Sequence, residues 1–227
     1  MIPMSTDTLA FSEPAEPAAP TPDLPAPSTG ALASIAGRQL FVALRFLLAM
    51  TIVLGIAYPL LVLGVGKVIA PAKANGSLVT ADGKTVGSSL IGQLFTDPKW
   101  FQGRPSAAGS NGYDPTASGG SNLSADSPTL LKAVNDRKAV IAKADGVAES
   151  AVPADAVTAS GSGLDPDISP AYALIQVNRV AAARHLDPGR VRDLVETHID
   201  SPALGFIGQR RVNVLQLNIA LEKLTTS

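Results

Sequence analysis

No cysteine occurs among the 227 residues, aromatic residues make up only 4%, and charged residues only 16%. The missing cysteine excludes disulfides, thiolate nucleophiles, iron–sulfur clusters and every cysteine-containing zinc site. Eighteen Lys+Arg against nineteen Asp+Glu leave a net charge of −1. Neutralising phosphates requires a clustered positive surplus, so bulk electrostatics speak against nucleic acid as a partner. The charged share lies well below the ~25% of ordinary soluble domains.

The shortfall is concentrated in one place. Phe46 to Gly66 reads FLLAMTIVLGIAYPLLVLGVG, 21 residues without a charge, between Arg45 and Lys67. As an α-helix this run spans roughly 31 Å, the thickness of a bilayer's hydrocarbon core. Residues 41–67 are therefore expected to form a transmembrane helix bent at Pro59, with membrane lipid as its surroundings. Ala72-Lys73-Ala74 has the small-x-small form of a cleavage site, but the run exceeds the ~7–15 residues of a signal peptide's apolar region. The sequence therefore reads as an uncleaved anchor. Gly55, Gly64 and Gly66 form no GxxxG pair, so no helix-docking face is legible. Arg38 and Arg45 before the span balance Lys67, Lys73 and Lys84 after it, and charge selects neither orientation.

Residues 1–37 carry seven prolines, four acids and no Lys or Arg, the composition of a disordered tail. Residues 71–227 hold fifteen basic and fifteen acidic side chains, suited to one soluble domain. The expected fold class is α+β: a single N-terminal transmembrane helix followed by one soluble mixed α/β domain. Asp82-Gly83 between two short apolar stretches predicts a hairpin. Ser127-Pro128, Ser169-Pro170 and Asp187-Pro188 each predict a capped helix start, with a side-chain oxygen ahead of a proline whose missing N–H costs nothing. Val214, Leu217, Leu221 and Leu224 share one face of a final helix. Residues 103–127 form a long loop in which thirteen of twenty-five residues are Gly, Ser or Asn.

Chemistry-bearing motifs are sparse. Gly83-Lys84-Thr85 ends like a P-loop, but Leu78 stands where its first glycine belongs. The stretches Ser118-Gly119-Gly120-Ser121-Asn122 and Ser160-Gly161-Ser162-Gly163 could offer N–H and hydroxyl donors to an anion, or be plain tight turns. His185 and His198 form no zinc pair, and no serine lies in a G-x-S-x-G elbow. Asp165 and Asp167 could bind a hard cation only with further oxygens. A membrane-anchored extracytoplasmic hydrolase using Ser and a histidine, or a small-ligand binding protein, are the readings from other classes.

Seven ordered blocks follow the span: ANGSLV at 74–79, GSSLIGQLF at 87–95, GRPSA at 103–107, ASGGSNL at 117–123, VTASGSGLDPDISP at 157–170, QVNRVAAAR at 176–184 and RVNVLQLNIAL at 211–221. In order and spacing they resemble the C subunit of Kdp-type potassium-transporting ATPases over roughly Leu40 to Leu224. The resemblance implies a non-catalytic accessory subunit of a potassium uptake complex in the bacterial inner membrane. Its N-terminus would be cytoplasmic and its soluble domain extracytoplasmic. Its partners would be a potassium-conducting subunit and a P-type ATPase subunit, whose affinity for ATP it raises as a catalytic chaperone. The DKTGT phosphorylation motif and a potassium-filter motif are absent, in keeping with that role. Asp167 and Asn178 depart from residues common in the family, and the acidic, proline-rich tail is longer than usual.

An extracytoplasmic domain could not touch cytoplasmic ATP, so the expectation is coupling through the partner's conformation, with direct ATP contact doubtful. Glycine-rich loops on a rigid scaffold serve recognition, so the Gly103–Ser127 loop and the Ser160–Asp165 turn are the candidate contact region for partners or nucleotide affinity, with Arg104, Ser106, Ser118, Gly119, Gly120, Asn122, Ser160, Gly161 and Asp165. No catalytic residue and no metal ligand is expected, and the chain alone is expected to bind no cofactor.

Overall fold

The computed structural model describes residues 28–202 and 204–226, so most of the proline-rich tail lies outside the described residues. The N-terminal region is helical. The helix begins at Thr29 rather than near residue 41, so residues 29–37, counted with the tail on composition, are helical. Helix α1 (Thr29–Ile52) runs through a π-helical turn, Val53–Ala57, into α2 (Tyr58–Ile69). The turn lies just before Pro59. There the Tyr58 N–H reaches back to the Val53 carbonyl, five residues away. Proline supplies no N–H to the turn before it, and widening the helix locally absorbs that loss. Thr51 returns its hydroxyl to the Leu47 carbonyl at 2.8 Å, hiding its polarity. Leu32–Ile69 is one helix long and apolar enough to cross a membrane, with Leu54 and Leu61 more than 60% exposed to their surroundings.

An α+β region follows. A short helix α3 (Pro71–Ala74) precedes the hairpin of β1 (Leu78–Ala81) and β2 (Lys84–Ser88). Asp82 (φ 49°) and Gly83 (φ 74°) both adopt the left-handed region that a two-residue hairpin loop demands. Gly83-Lys84-Thr85 is thus hairpin, not phosphate cradle. The helices α4 (Pro128–Asp145), α5 (Ala154–Val157), α6 (Pro170–Arg184), α7 (Pro188–Thr197) and α8 (Val214–Thr226) follow. A small antiparallel sheet, ordered β3-β5-β4, joins β3 (Asp167–Ile168), β4 (Ile199–Asp200) and β5 (Arg211–Asn213). All three anticipated caps are present: Ser127 accepts from Leu130 N–H, Ser169 from Tyr172 N–H and Asp187 from Arg190 N–H.

The scarcity of aromatics shows in the core, which is built from branched aliphatics. Val177 and Val180 of α6, Val191 and Val195 of α7, Val212 of β5 and Leu217 and Leu221 of α8 are fully buried. α6 packs on α7, and α7 packs on α8. Phe101 is the one aromatic ring buried completely among the described residues, and it lies on a segment belonging to no helix or strand.

Candidate functional site

That segment, 98–104, is exposed at Pro98 and Lys99, buried at Phe101 and without a strand partner, so its buried backbone polar groups need other partners. Side chains provide them. Asn218 of α8 brackets Phe101, accepting from its N–H and donating to its carbonyl, both at 2.9 Å. Gln176 of α6 brackets Gln102 in the same way, at 2.7 and 3.2 Å. Arg179 donates to the carbonyls of Pro98 (2.6 Å) and Trp100 (3.0 Å), to Gln176 Oε1 and to Asp145. Arg184 donates to the Lys99 carbonyl and lies 4.1 Å from the centre of the Trp100 ring. Two helices thus hold an irregular segment by amides and guanidinium groups, and that segment ends at Arg104.

Arg104 begins the candidate site. Its guanidinium forms a 2.8 Å ion pair with Asp165. Ser106 donates to the Gly163 carbonyl at 2.6 Å and accepts from the N–H of Tyr113 and of Ala108. Gly119 N–H and the Ser118 hydroxyl both reach the Ser162 carbonyl, at 2.8 and 3.0 Å. Gly120 lies against Gly161 so closely that an added Cβ would sit 3.3 Å from the Gly161 carbonyl oxygen. Ser160, buried, accepts through its carbonyl from Gly163 N–H and shapes the turn. The two glycine-rich loops, distant in sequence, are therefore one surface. Of the nine candidates, Asn122 stands apart from these contacts, exposed and left-handed at φ 51°.

Gly163 is the closest point between them. At φ 67° it favours glycine, and a Cβ would fall 2.7 Å from the Gly119 carbonyl and 2.8 Å from Ala108. Gly163→Ala is expected to cost about 1–2 kcal/mol in backbone conformation and about 1–3 kcal/mol in overpacking. Urea unfolding of the detergent-solubilised chain checks the cost. Faster thiol labelling of a Ser118→Cys reporter checks the parting of the loops.

Tyr113 organises the interior of the same surface. Its hydroxyl donates to the Arg104 carbonyl at 2.7 Å, and Gly92 and Gly103 leave room for its ring. Burial, with the Asp165 charge adding to it, pushes its phenol up to about 12. An unfolded tyrosine ionises near ~10, so this raised group contributes stability that is complete below that value and lost as pH rises toward 12. Alkaline unfolding of Tyr113→Phe, followed by circular dichroism, is expected to show a shallower loss across that window than the native chain.

An open cavity of about 460 Å³ is lined by Arg104, Ser106 and Tyr113 and by Arg137 and Ile141 of α4. It offers two guanidinium groups but also the carboxylate of Asp136, a mixed lining rather than a phosphate cradle. Asp165 and Asp167 are engaged by cations of the chain itself, Arg104 and Arg211 respectively. Burial raises the pKa of Asp167, opposed by the Asn213 amide and Arg211. Asn178 is exposed on α6. His185 ends α6 in the left-handed conformation, and His198 ends α7 with Nδ1 2.8 Å from the Leu194 carbonyl. Among the described residues no group of three or more His, Asp or Glu is placed to hold a metal. Sequence reasoning missed Tyr113, Gln176, Arg179 and Asn218. The available signal was polar residues interrupting apolar helical faces in QVNRV and LQLNIAL.

Residues 40–223 match the protein family described as K+-transporting ATPase, c chain. The chain is 56% identical over 184 residues to a protein of Kineococcus radiotolerans named potassium-transporting ATPase KdpC subunit, covering 81% of this chain and 93% of that one. Proteins of the same name from Streptomyces coelicolor and Mycobacterium tuberculosis are each 50% identical to it. Those matches cover 83% and 82% of this chain, and 94% and 99% of theirs.

Proposed function

Since the chain belongs to the KdpC family of K+-transporting ATPase c chains, we propose that it is the non-catalytic accessory subunit of a high-affinity potassium uptake complex. In this reading it supports assembly with a potassium-conducting subunit and a P-type ATPase subunit, and raises the latter's affinity for ATP. The N-terminus is cytoplasmic and the soluble domain lies outside the inner membrane. The joined glycine-rich loops dock on a partner.

The observation that carries the docking role is the state of those loops. Ser106 and Ser118 donate to the Gly163 and Ser162 carbonyls, Tyr113 donates to the Arg104 carbonyl, and Arg104 pairs with Asp165. Such groups form a preorganised surface, which binds a partner without the entropy cost of ordering loops. A subunit outside the membrane alters a cytoplasmic ATP site only by favouring one state of the pump, and a coupling of about 1–3 kcal/mol changes affinity 5- to 150-fold.

Purification in mild detergent from potassium-limited cells should recover the two partner subunits. A complex lacking this chain should lose potassium-stimulated hydrolysis or need a higher ATP concentration for it. Recovery of the chain alone, or unchanged hydrolysis after deletion, would sink the proposal. Cysteines introduced at Ser28 and Ser121 test the orientation: an impermeant thiol reagent on intact cells should label position 121 and spare position 28.

A further inference from the structure

Between β4 and β5 the chain makes an excursion that plays no part in the joined loops. At its apex Leu204, Phe206 and Ile207 are 83%, 77% and 54% exposed. Leu204 adopts φ 55°, a conformation unfavourable for a branched side chain, while Gly205 (φ 82°) and Gly208 (φ 97°) fold the apex around it. Three large apolar side chains within four residues, all turned to solvent, are unlike the single exposed apolar residues scattered over ordinary surfaces. Gln209, Arg210 and Arg211 follow at once, and no acid occurs between residues 201 and 211. Arg211 is shared with Asp167 and Asp200, which leaves Arg210 as the exposed cation nearest the apex.

An apolar tip with a cationic flank matches the boundary of a bilayer, where hydrocarbon lies beneath anionic headgroups. The attachment of this domain supplies the second, independent argument. Only eight residues, 70–77, separate the end of α2 from the first residue of β1. Fully extended, they reach at most roughly 29 Å. The helical turn of α3 takes up part of that reach, at ~1.5 Å per residue. The domain is therefore tethered within reach of the membrane surface. We infer that residues 204–210 are a membrane-docking loop: Leu204, Phe206 and Ile207 enter the headgroup–acyl boundary, and Arg210 meets anionic lipid phosphates. The loop fixes the domain against the bilayer that holds its anchor, independently of any ATPase partner.

The cysteine-free chain makes the test direct. Full-length Phe206→Cys, Ile207→Cys and, as a control on exposed α7, Glu196→Cys are labelled with an environment-sensitive fluorophore. They are then placed in phosphatidylcholine nanodiscs with and without phosphatidylglycerol, the acyl chains carrying bromine near the carbonyl. Quenching at positions 206 and 207 should exceed that at 196 by at least about threefold, from contact with the upper acyl chains. Phosphatidylglycerol should strengthen it, and Arg210→Glu should remove that increment. Equal weak quenching at all three positions would overturn the inference. So would a label at 206 that stays water-exposed in nanodiscs and is shielded only when partner subunits are added, which would assign the loop to a protein contact. Both readouts use the isolated chain first, so failure here leaves the accessory-subunit reading standing, and loss of that reading leaves lipid quenching intact.

Discussion

Arg179→Met is expected to destabilise the soluble domain by about 3–5 kcal/mol, the range for removing one partner of a buried ion pair. The side chain of Arg179 is 9% exposed and that of Asp145 is 4% exposed, with 2.7 Å between Nε and Oδ1. The same guanidinium also serves the carbonyls of Pro98 and Trp100 and the amide oxygen of Gln176. Methionine fills much of the volume but donates nothing. Asp145 is then a buried carboxylate without its cation, and the 98–104 segment loses two of its ties. Lysine is no substitute, because one ammonium cannot face these acceptors in the planar fork that arginine provides. Urea unfolding of the full chain in detergent measures the loss. A deficit under about 1 kcal/mol, the range of an exposed pair, would show that the guanidinium does not hold this segment.

The same substitution carries a pH signature. Burial raises the pKa of Asp145, and Arg179 opposes that rise by hydrogen bond and charge. Without Arg179 the raised value climbs further. A carboxyl whose folded pKa exceeds its unfolded one favours the folded state below the unfolded pKa and loses that contribution as pH rises through the folded pKa. The deficit of Arg179→Met should therefore shrink on acidification, as Asp145 takes up a proton.

Legibility in the sequence followed the range of the interactions. The helix starts at Ser127, Ser169 and Asp187 and the turn at Asp82-Gly83 were readable because each is settled within three residues by one side chain or one glycine. The apolar span was readable for a similar reason, as length and composition define it. The start of its helix at Thr29 was not, because alanine-rich, uncharged residues 29–37 fit a helix and a polar tail equally well by composition. The two Gly/Ser loops were each visible, yet their union was not. It depends on Ser106 meeting Gly163 and Arg104 meeting Asp165, pairs 57 and 61 residues apart. The clamped segment was least visible of all. No periodicity marks an irregular segment whose partners are side chains of two helices rather than another strand.

Asn218→Leu exposes how much that clamp contributes. Phe101 is fully buried, and Asn218 bonds both its N–H and its carbonyl. Leucine keeps the branched shape and heavy-atom count but is larger, so two backbone groups lose their partners and some overpacking is added. Each unsatisfied buried group costs about 1–3 kcal/mol, which places the total for two at roughly 2–6 kcal/mol. Gln176→Leu removes the neighbouring bracket on Gln102, and Gln176 also accepts from Arg179. The double variant should cost less than the sum of the two, because once the segment leaves its channel the second bracket has nothing left to hold. Asn218→Asp separates donor from acceptor. It keeps an oxygen for the Phe101 N–H but sets a carboxylate against the Phe101 carbonyl. Protonation restores a donor, so its deficit should be largest at neutral pH and fall as pH drops through the raised pKa of the new carboxyl. Arg104 ends the clamped segment, so Asn218→Leu should also quicken thiol labelling of Ser118→Cys on the joined loops. Additive costs with unchanged labelling would mean that the clamp and the docking surface are independent structures.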